Sequence, residues 1–103
     1  MIVVGKKILD EFGKQHPHSR TPLSIWMKII QSTEYKSFND LKKTFPSADY
    51  VVHKYTIFNI SGNKYRLIVE IDYLASVVNV KRIWTHAEYS MKINVNALRK
   101  CKI

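Results

Sequence analysis

An α+β fold, with helices first and an antiparallel meander after them, is what this sequence predicts, and three observations carry it. Apolar residues recur at helical spacing through the first 45 or so residues. From residue 50 the stretches "YTIFNI", "KYRLIVEIDY" and "SVVNVKRIW" are dense in β-branched and aromatic side chains. The period changes once, so helices and strands are segregated along the chain rather than alternating. With 103 residues, 46% of them hydrophobic and only three Gly and three Pro, the chain is expected to fold as one domain over residues 1–103.

Taken in order, "MIVVG" reads as a short first strand. Residues 6–15 read as a helix, with Ile8, Leu9 and Phe12 apolar and Lys6, Lys7, Asp10, Glu11 and Lys14 polar. "HPHSRTP" interrupts it. Thr21 followed by Pro22 is an N-cap and a first-position proline, predicting a second helix to about Glu34 with Leu23, Trp26, Met27 and Ile30 on one face. "SFNDLKKTFP" is a shorter helical piece, capped by Ser37 and stopped by Pro46. Gly62-Asn63 suits a two-residue hairpin turn between the first two strands of the meander. In the strand that follows, Tyr65, Leu67, Val69, Ile71 and Tyr73 form a core face, and Lys64, Arg66, Ile68, Glu70 and Asp72 a largely polar one. "RIWTHAEYSMKI" then passes from strand into a short C-terminal helix.

Charge narrows the function classes. Seventeen Lys and Arg stand against eight Asp and Glu, with nine basic and three acidic side chains in residues 51–103. Such a balance favours a polyanionic partner, nucleic acid first and an acidic protein second. No apolar run approaches the roughly 20 residues that span a bilayer, and no helix is both basic and strongly apolar on one side, so no membrane partner is expected. The N-terminus turns charged after five residues and the single cysteine, Cys101, has no internal partner; both fit a cytoplasmic location. His16, His18, His53 and Cys101 lack metal-ligand spacing, and no phosphate loop or Gly-x-Ser-x-Gly turn is present. Neither metal nor cofactor is expected.

Most of the chemistry-bearing residues crowd into "THAEY". Thr85-x-x-Glu88 has the spacing of a capping box, which explains those two residues structurally. His86 and Tyr89, three positions apart, share a helical face. They are either a surface histidine beside a half-buried tyrosine, or a proton-transfer group beside a hydrogen-bonding or base-stacking ring. Lys64 and Arg66 on the preceding strand, with Lys81 or Arg82 on the next, would set cations beside the helix N-terminus and suit a phosphate. Glu70 and Asp72 would neutralise part of that face.

"FNISGNKYRLIVEIDY" (Phe58–Tyr73) followed by "VKRIWTHAEY" (Val80–Tyr89) resembles the HigB toxin family, within the RelE/ParE-like superfamily of type II toxin-antitoxin systems. The upstream "HPHSRTPLSIW" and "FPSADYV" fit as well, so the likeness covers nearly the whole chain. The combined pattern Gly62-Asn63-x-x-Arg66 and Thr85-His86-x-Glu88-Tyr89 is what makes it specific. The resemblance implies a RelE-like fold, with N-terminal helices packed on a small, mainly antiparallel sheet and a short C-terminal helix. It implies a metal-independent, ribosome-dependent endoribonuclease (an mRNA interferase), whose partners are mRNA, the ribosome and a helix-turn-helix antitoxin. DNA would be met only through that antitoxin.

Carried over residue by residue, Arg66, His86 and Tyr89 match the family's catalytic groups, with Lys64 as a basic accompaniment; Lys81 and Arg82 are expected as further phosphate contacts. Cleavage would use the RNA's own 2′-hydroxyl as nucleophile and leave a cyclic phosphate. Three departures stand out: Lys81 where the family often has Arg, Trp84 where a small or aliphatic residue is common, and Ser90 where Asp is frequent. The rival readings are a non-catalytic RNA- or protein-binding module and a ParE-like gyrase poison. For the antitoxin, Ile25, Trp26 and Ile29 on the helices offer a surface apart from the "THAEY" junction, although Trp26 also fits the core stripe with Leu23 and Ile30.

Overall fold

The computed structural model describes all 103 residues, Met1–Ile103, and its fold is α+β, as the sequence predicts. Strand β1 (Ile2–Val4) leads into helix α1 (Lys6–Gln15), helix α2 (Arg20–Ser32) and helix α3 (Phe38–Thr44). Strands β2 (Asp49–Val51), β3 (Tyr55–Ile60), β4 (Tyr65–Asp72) and β5 (Val77–Thr85) follow, then helices α4 (His86–Ser90) and α5 (Lys92–Arg99). The five strands form one sheet in the order β1-β5-β4-β3-β2, antiparallel except for the parallel β1–β5 pair.

Gly5 makes the turn from β1 into α1. Its φ of 93° lies in the left-handed region, and a Cβ there would stand 3.0 Å from the Val80 carbonyl oxygen. Helix α1 matches its predicted bounds and buries Leu9 and Phe12. Helix α2 starts two residues before the predicted Thr21–Pro22 boundary, because a 3₁₀ turn over Pro17–Ser19 runs straight into it. Pro22 therefore occupies the third helical position. Its missing N–H is one of the first four that have no intrahelical acceptor, so the early start removes no hydrogen bond. The helix ends at Ser32, short of Glu34, where Thr33 turns extended. The Met1 ammonium group donates to the carbonyls of Ile30 and Thr33 at that end, where the helix dipole is negative. Ser37 caps α3 as expected, its hydroxyl accepting from the Asp40 N–H at 3.1 Å.

The main core lies between these helices and one face of the sheet. Leu23, Trp26 and Ile30 of α2 meet Phe58, Leu67, Val69, Val78, Val80 and Ile83 from the strands. Trp26 is a core residue, 3% exposed and edge-on to the Phe58 ring, whereas Ile25 beside it is 55% exposed.

The other sheet face departs from the sequence reading. It is not simply polar: Ile68 is fully buried and joins Tyr55, Ile57 and Leu98 in a second apolar cluster. The covering element is the C-terminal part of the chain, with Leu98 of α5, Cys101 and Ile103 packed down on β3 and β4. The Tyr55 hydroxyl ties the end in place by donating to the Ile103 carbonyl at 3.2 Å. Two further differences concern connections. Ile60 pairs with Tyr65, so the β3–β4 turn is four residues, Ser61 to Lys64, not two; Ser61 (φ 55°) and Gly62 (φ 65°) supply the left-handed positions. Strand β2 was not foreseen, since three residues are too few to show an alternation.

Candidate functional site

Register explains how the candidate residues come together. Arg66 on β4 lies directly opposite Asn59 on β3 and Trp84 on β5, so all three project from the same face. One residue beyond Trp84 the strand ends at Thr85 and α4 begins. The capping box predicted from sequence is present in both halves. The Thr85 hydroxyl accepts from the Glu88 N–H at 3.1 Å, and the Glu88 carboxylate accepts from the Thr85 N–H at 2.8 Å. The His86 N–H donates to the Lys64 carbonyl at 2.9 Å, fastening the helix start to the β3–β4 turn. Ser90 closes the single turn of α4 by donating to the His86 carbonyl at 2.9 Å.

Arg66 is the centre of the arrangement. Its Nη1 donates to the Asn63 carbonyl at 3.0 Å, which holds the guanidinium over the turn. Its Nη2 lies 3.3 Å from His86 Nδ1. A guanidinium has donors only, so Nδ1 is the acceptor and, by assignment from this contact, the neutral ring carries its proton on Nε2. The guanidinium carbon also stands 5.6 Å from the centre of the Tyr89 ring. Trp84, across the ladder from Arg66, backs the same tyrosine with ring centres 6.4 Å apart.

This half-buried setting raises the Tyr89 hydroxyl pKa above its ordinary 10.0. Burial is the main cause and the Asp49 carboxylate of β2 adds to it, while the Arg66 charge opposes both. The phenol therefore stays protonated through neutral pH and is a hydrogen-bond or proton donor there.

Of the six residues expected from sequence, three converge: Arg66, His86 and Tyr89. The others do not join them. Lys64 is exposed on the turn and meets the site through its backbone carbonyl. Lys81 and Arg82 sit in a β-bulge, where both oppose Ile68 because Val80 pairs with Val69 and Arg82 with Ile68. Arg82 is exposed and donates to the Lys81 carbonyl at 2.7 Å. It lies two residues along β5 from Trp84, about 7 Å at the rise of a strand.

The expected helix-end cradle is corrected as well. The Glu88 N–H is taken by the capping box and the His86 N–H by Lys64, so the positive end of α4 is largely spent on the fold. Cationic side chains carry the site's charge. Nor do the acidic residues of β4 neutralise it. Glu70 pairs with Lys54 at 4.0 Å, and Asp72 accepts from the Ala75 N–H in the β4–β5 turn. Sequence reasoning missed Trp84 and Asp49 as shapers of Tyr89. Trp84 is brought opposite Arg66 by the β4–β5 register, which neither strand shows alone, and nothing in the sequence marked Asp49, because its strand was itself unseen.

A family model described as HigB_toxin, the RelE-like toxic component of a toxin-antitoxin system, matches residues 19–92. Similar curated proteins include an mRNA interferase HigB of Escherichia coli O6:H1 (strain CFT073), 25% identical over 91 residues that cover 86% of this chain and 88% of that protein. The mRNA interferase toxin HigB of Escherichia coli strain K12 is 26% identical over 91 residues, with the same coverage of both chains. An mRNA interferase HigB of Shigella flexneri matches to the same extent.

Proposed function

Since the chain belongs to the HigB family of RelE-like toxic components of toxin-antitoxin systems, we propose that it is an endoribonuclease that cuts messenger RNA on the translating ribosome. The observation that carries the reading is Arg66, a single cation in contact with both a histidine and a protonated tyrosine at an open strand–helix junction. That constellation suits phosphodiester cleavage by the RNA's own 2′-hydroxyl. The 2′-oxygen attacks the adjacent phosphorus, the bond from phosphorus to the 5′-oxygen breaks, and a 2′,3′-cyclic phosphate and a 5′-hydroxyl result. The 2′-hydroxyl proton must leave and a proton must reach the 5′-oxygen, while charge builds on the phosphate between them.

Arg66 stabilises that charge and fixes the imidazole by bonding Nδ1. His86 transfers a proton, and Tyr89 stacks on a base or relays a proton through its hydroxyl. Lys64, Lys81 and Arg82 draw in the neighbouring phosphates. All proton and charge handling is then supplied by side chains, without a metal. A toxic component implies an antitoxin. The partner in this reading is a helix-turn-helix antitoxin that docks away from the site, on the uncovered apolar side of α2.

Induced expression of the wild type and of His86→Ala, with mapping of RNA 5′ ends with and without active translation, tests the reading. Growth arrest with translation-dependent cuts, both lost in His86→Ala, supports it. Arrest with intact messengers and damaged DNA would favour a gyrase poison. RNA binding that survives in both proteins without any cut would leave a binding module.

A further inference from the structure

Behind Tyr89 lies a cavity of about 370 Å³. Its lining is Val51 and Val52 from β2 and its turn, Tyr89 from α4, and Val95, Leu98 and Arg99 from α5. Five of the six are uncharged and largely apolar in body, and the one charged group, Arg99, is exposed. Tyr89 is shared between this space and the site, since the ring that lines the cavity also carries the Arg66 guanidinium 5.6 Å from its centre.

We propose that this cavity is a nucleobase pocket, which receives the base next to the phosphate held by Arg66 and gives cleavage its sequence preference. The inference rests on the ribonuclease reading for its substrate. Three features fit that occupant. The pocket is continuous with the phosphate site through one ring, as a strand with one base per phosphate requires. Its walls combine an aromatic ring with branched aliphatic side chains, which accept a flat apolar ring face. Its only ion is a cation, Arg99, whose charge attracts purine acceptors and the following phosphate alike. An apolar peptide would not need the cation, and a free anion would not need the apolar walls.

The wall also explains an oddity of the backbone. Val52 and His53 form the β2–β3 turn with φ of 49° and 53°, a conformation that disfavours a β-branched residue. Glycine or asparagine would fit that turn better, but neither would give the pocket the branched side chain that Val52 contributes.

The test is methyl NMR of the purified chain titrated with a single-stranded RNA tetranucleotide made uncleavable by a 2′-deoxy sugar at the cut. The methyls of Val51, Val95 and Leu98 should shift, by different amounts for a purine and a pyrimidine at the neighbouring position. An abasic sugar at that position should abolish those shifts and weaken binding about tenfold, the effect of losing one stacked base. Arg99→Ala, an exposed substitution, should flatten the base preference, both in this titration and in the mapped cuts. Binding that leaves those methyls unmoved, equal binding of the abasic oligonucleotide, or no binding at all would overturn the pocket. Base-dependent methyl shifts in a chain that leaves messengers uncut would retain the pocket and overturn the ribonuclease reading.

Discussion

Arg66 makes four contacts with one planar group: the Asn63 and Tyr65 carbonyls, His86 Nδ1 and the Tyr89 ring face. A lysine keeps the charge but has no fork, so Arg66→Lys should lose the hold on the imidazole along with part of the phosphate binding. His86 is exposed and bonds the fold mainly through its backbone, so His86→Ala should move stability by no more than about 0.5 kcal/mol while abolishing cleavage. A well-expressed, fully toxic His86→Ala would remove the residue from the mechanism. Tyr89 has two separable parts. If the ring matters by stacking, Tyr89→Phe should be far milder than Tyr89→Ala in mapped cuts; equal loss would assign the role to the hydroxyl. Its raised pKa gives a second readout. The folded phenol keeps its proton where the unfolded one has lost it, so stability from this group is intact below about pH 10 and lost as pH rises toward the folded value. Unfolding titrations above pH 9 should therefore show a steeper decline in the wild type than in Tyr89→Phe.

Among the elements, those with a strong local signal were legible and those set by distant partners were not. Helix α1, the Ser37 cap and the Thr85–Glu88 capping box follow from residues within a few positions of each other, and all three stand where the sequence puts them. Ile68 could not be placed from its strand, because what buries it is α5 and the chain end some 30 positions away. The bulge at Lys81 and Arg82 belongs to the pairing of two strands and leaves no mark in either alone. The same holds for the site. Arg66, His86 and Tyr89 were nameable as residue types, yet their convergence depends on a register that sets Arg66 opposite Trp84. The β2–β3 turn offers an element-scale test. Left-handed φ costs an L residue roughly 1–2 kcal/mol, and asparagine tolerates it better than valine. Val52→Asn should accordingly raise the urea midpoint by an amount equivalent to about 1 kcal/mol. An unchanged or lower midpoint would mean that packing of the valine against its neighbours outweighs the backbone strain.

At the scale of the whole molecule, the sheet separates two surfaces of different character. One face carries Arg66, Arg82 and the C-terminal helices. On the other, α2 leaves Pro22, Ile25 and Ile29 along a groove of about 250 Å³ floored by Phe45, Phe58 and Ile60. A chain with a net charge of +9 should bind ribosomes through counterion release, with affinity falling linearly in log–log terms as salt rises. Replacing Lys64, exposed on the turn, should reduce that slope by about one. An antitoxin that covered the cationic face would have to carry matching negative charge, and its binding would be equally salt-sensitive. Docking in the α2 groove instead buries apolar surface, so it should tolerate salt and, under the proposed ribosomal mode of action, work by making the toxin too bulky to enter. The two surfaces are also joined by one turn: Ser61 borders the groove, and Asn63 and Lys64 hold Arg66 and His86. Hydrogen exchange with and without antitoxin distinguishes the routes. Protection across α2 and β3 that persists at high salt, with α4 still exchanging, is the expected outcome. Protection confined to residues 64–66 and 84–90 would sink remote docking and make direct occlusion of the site the mode of control.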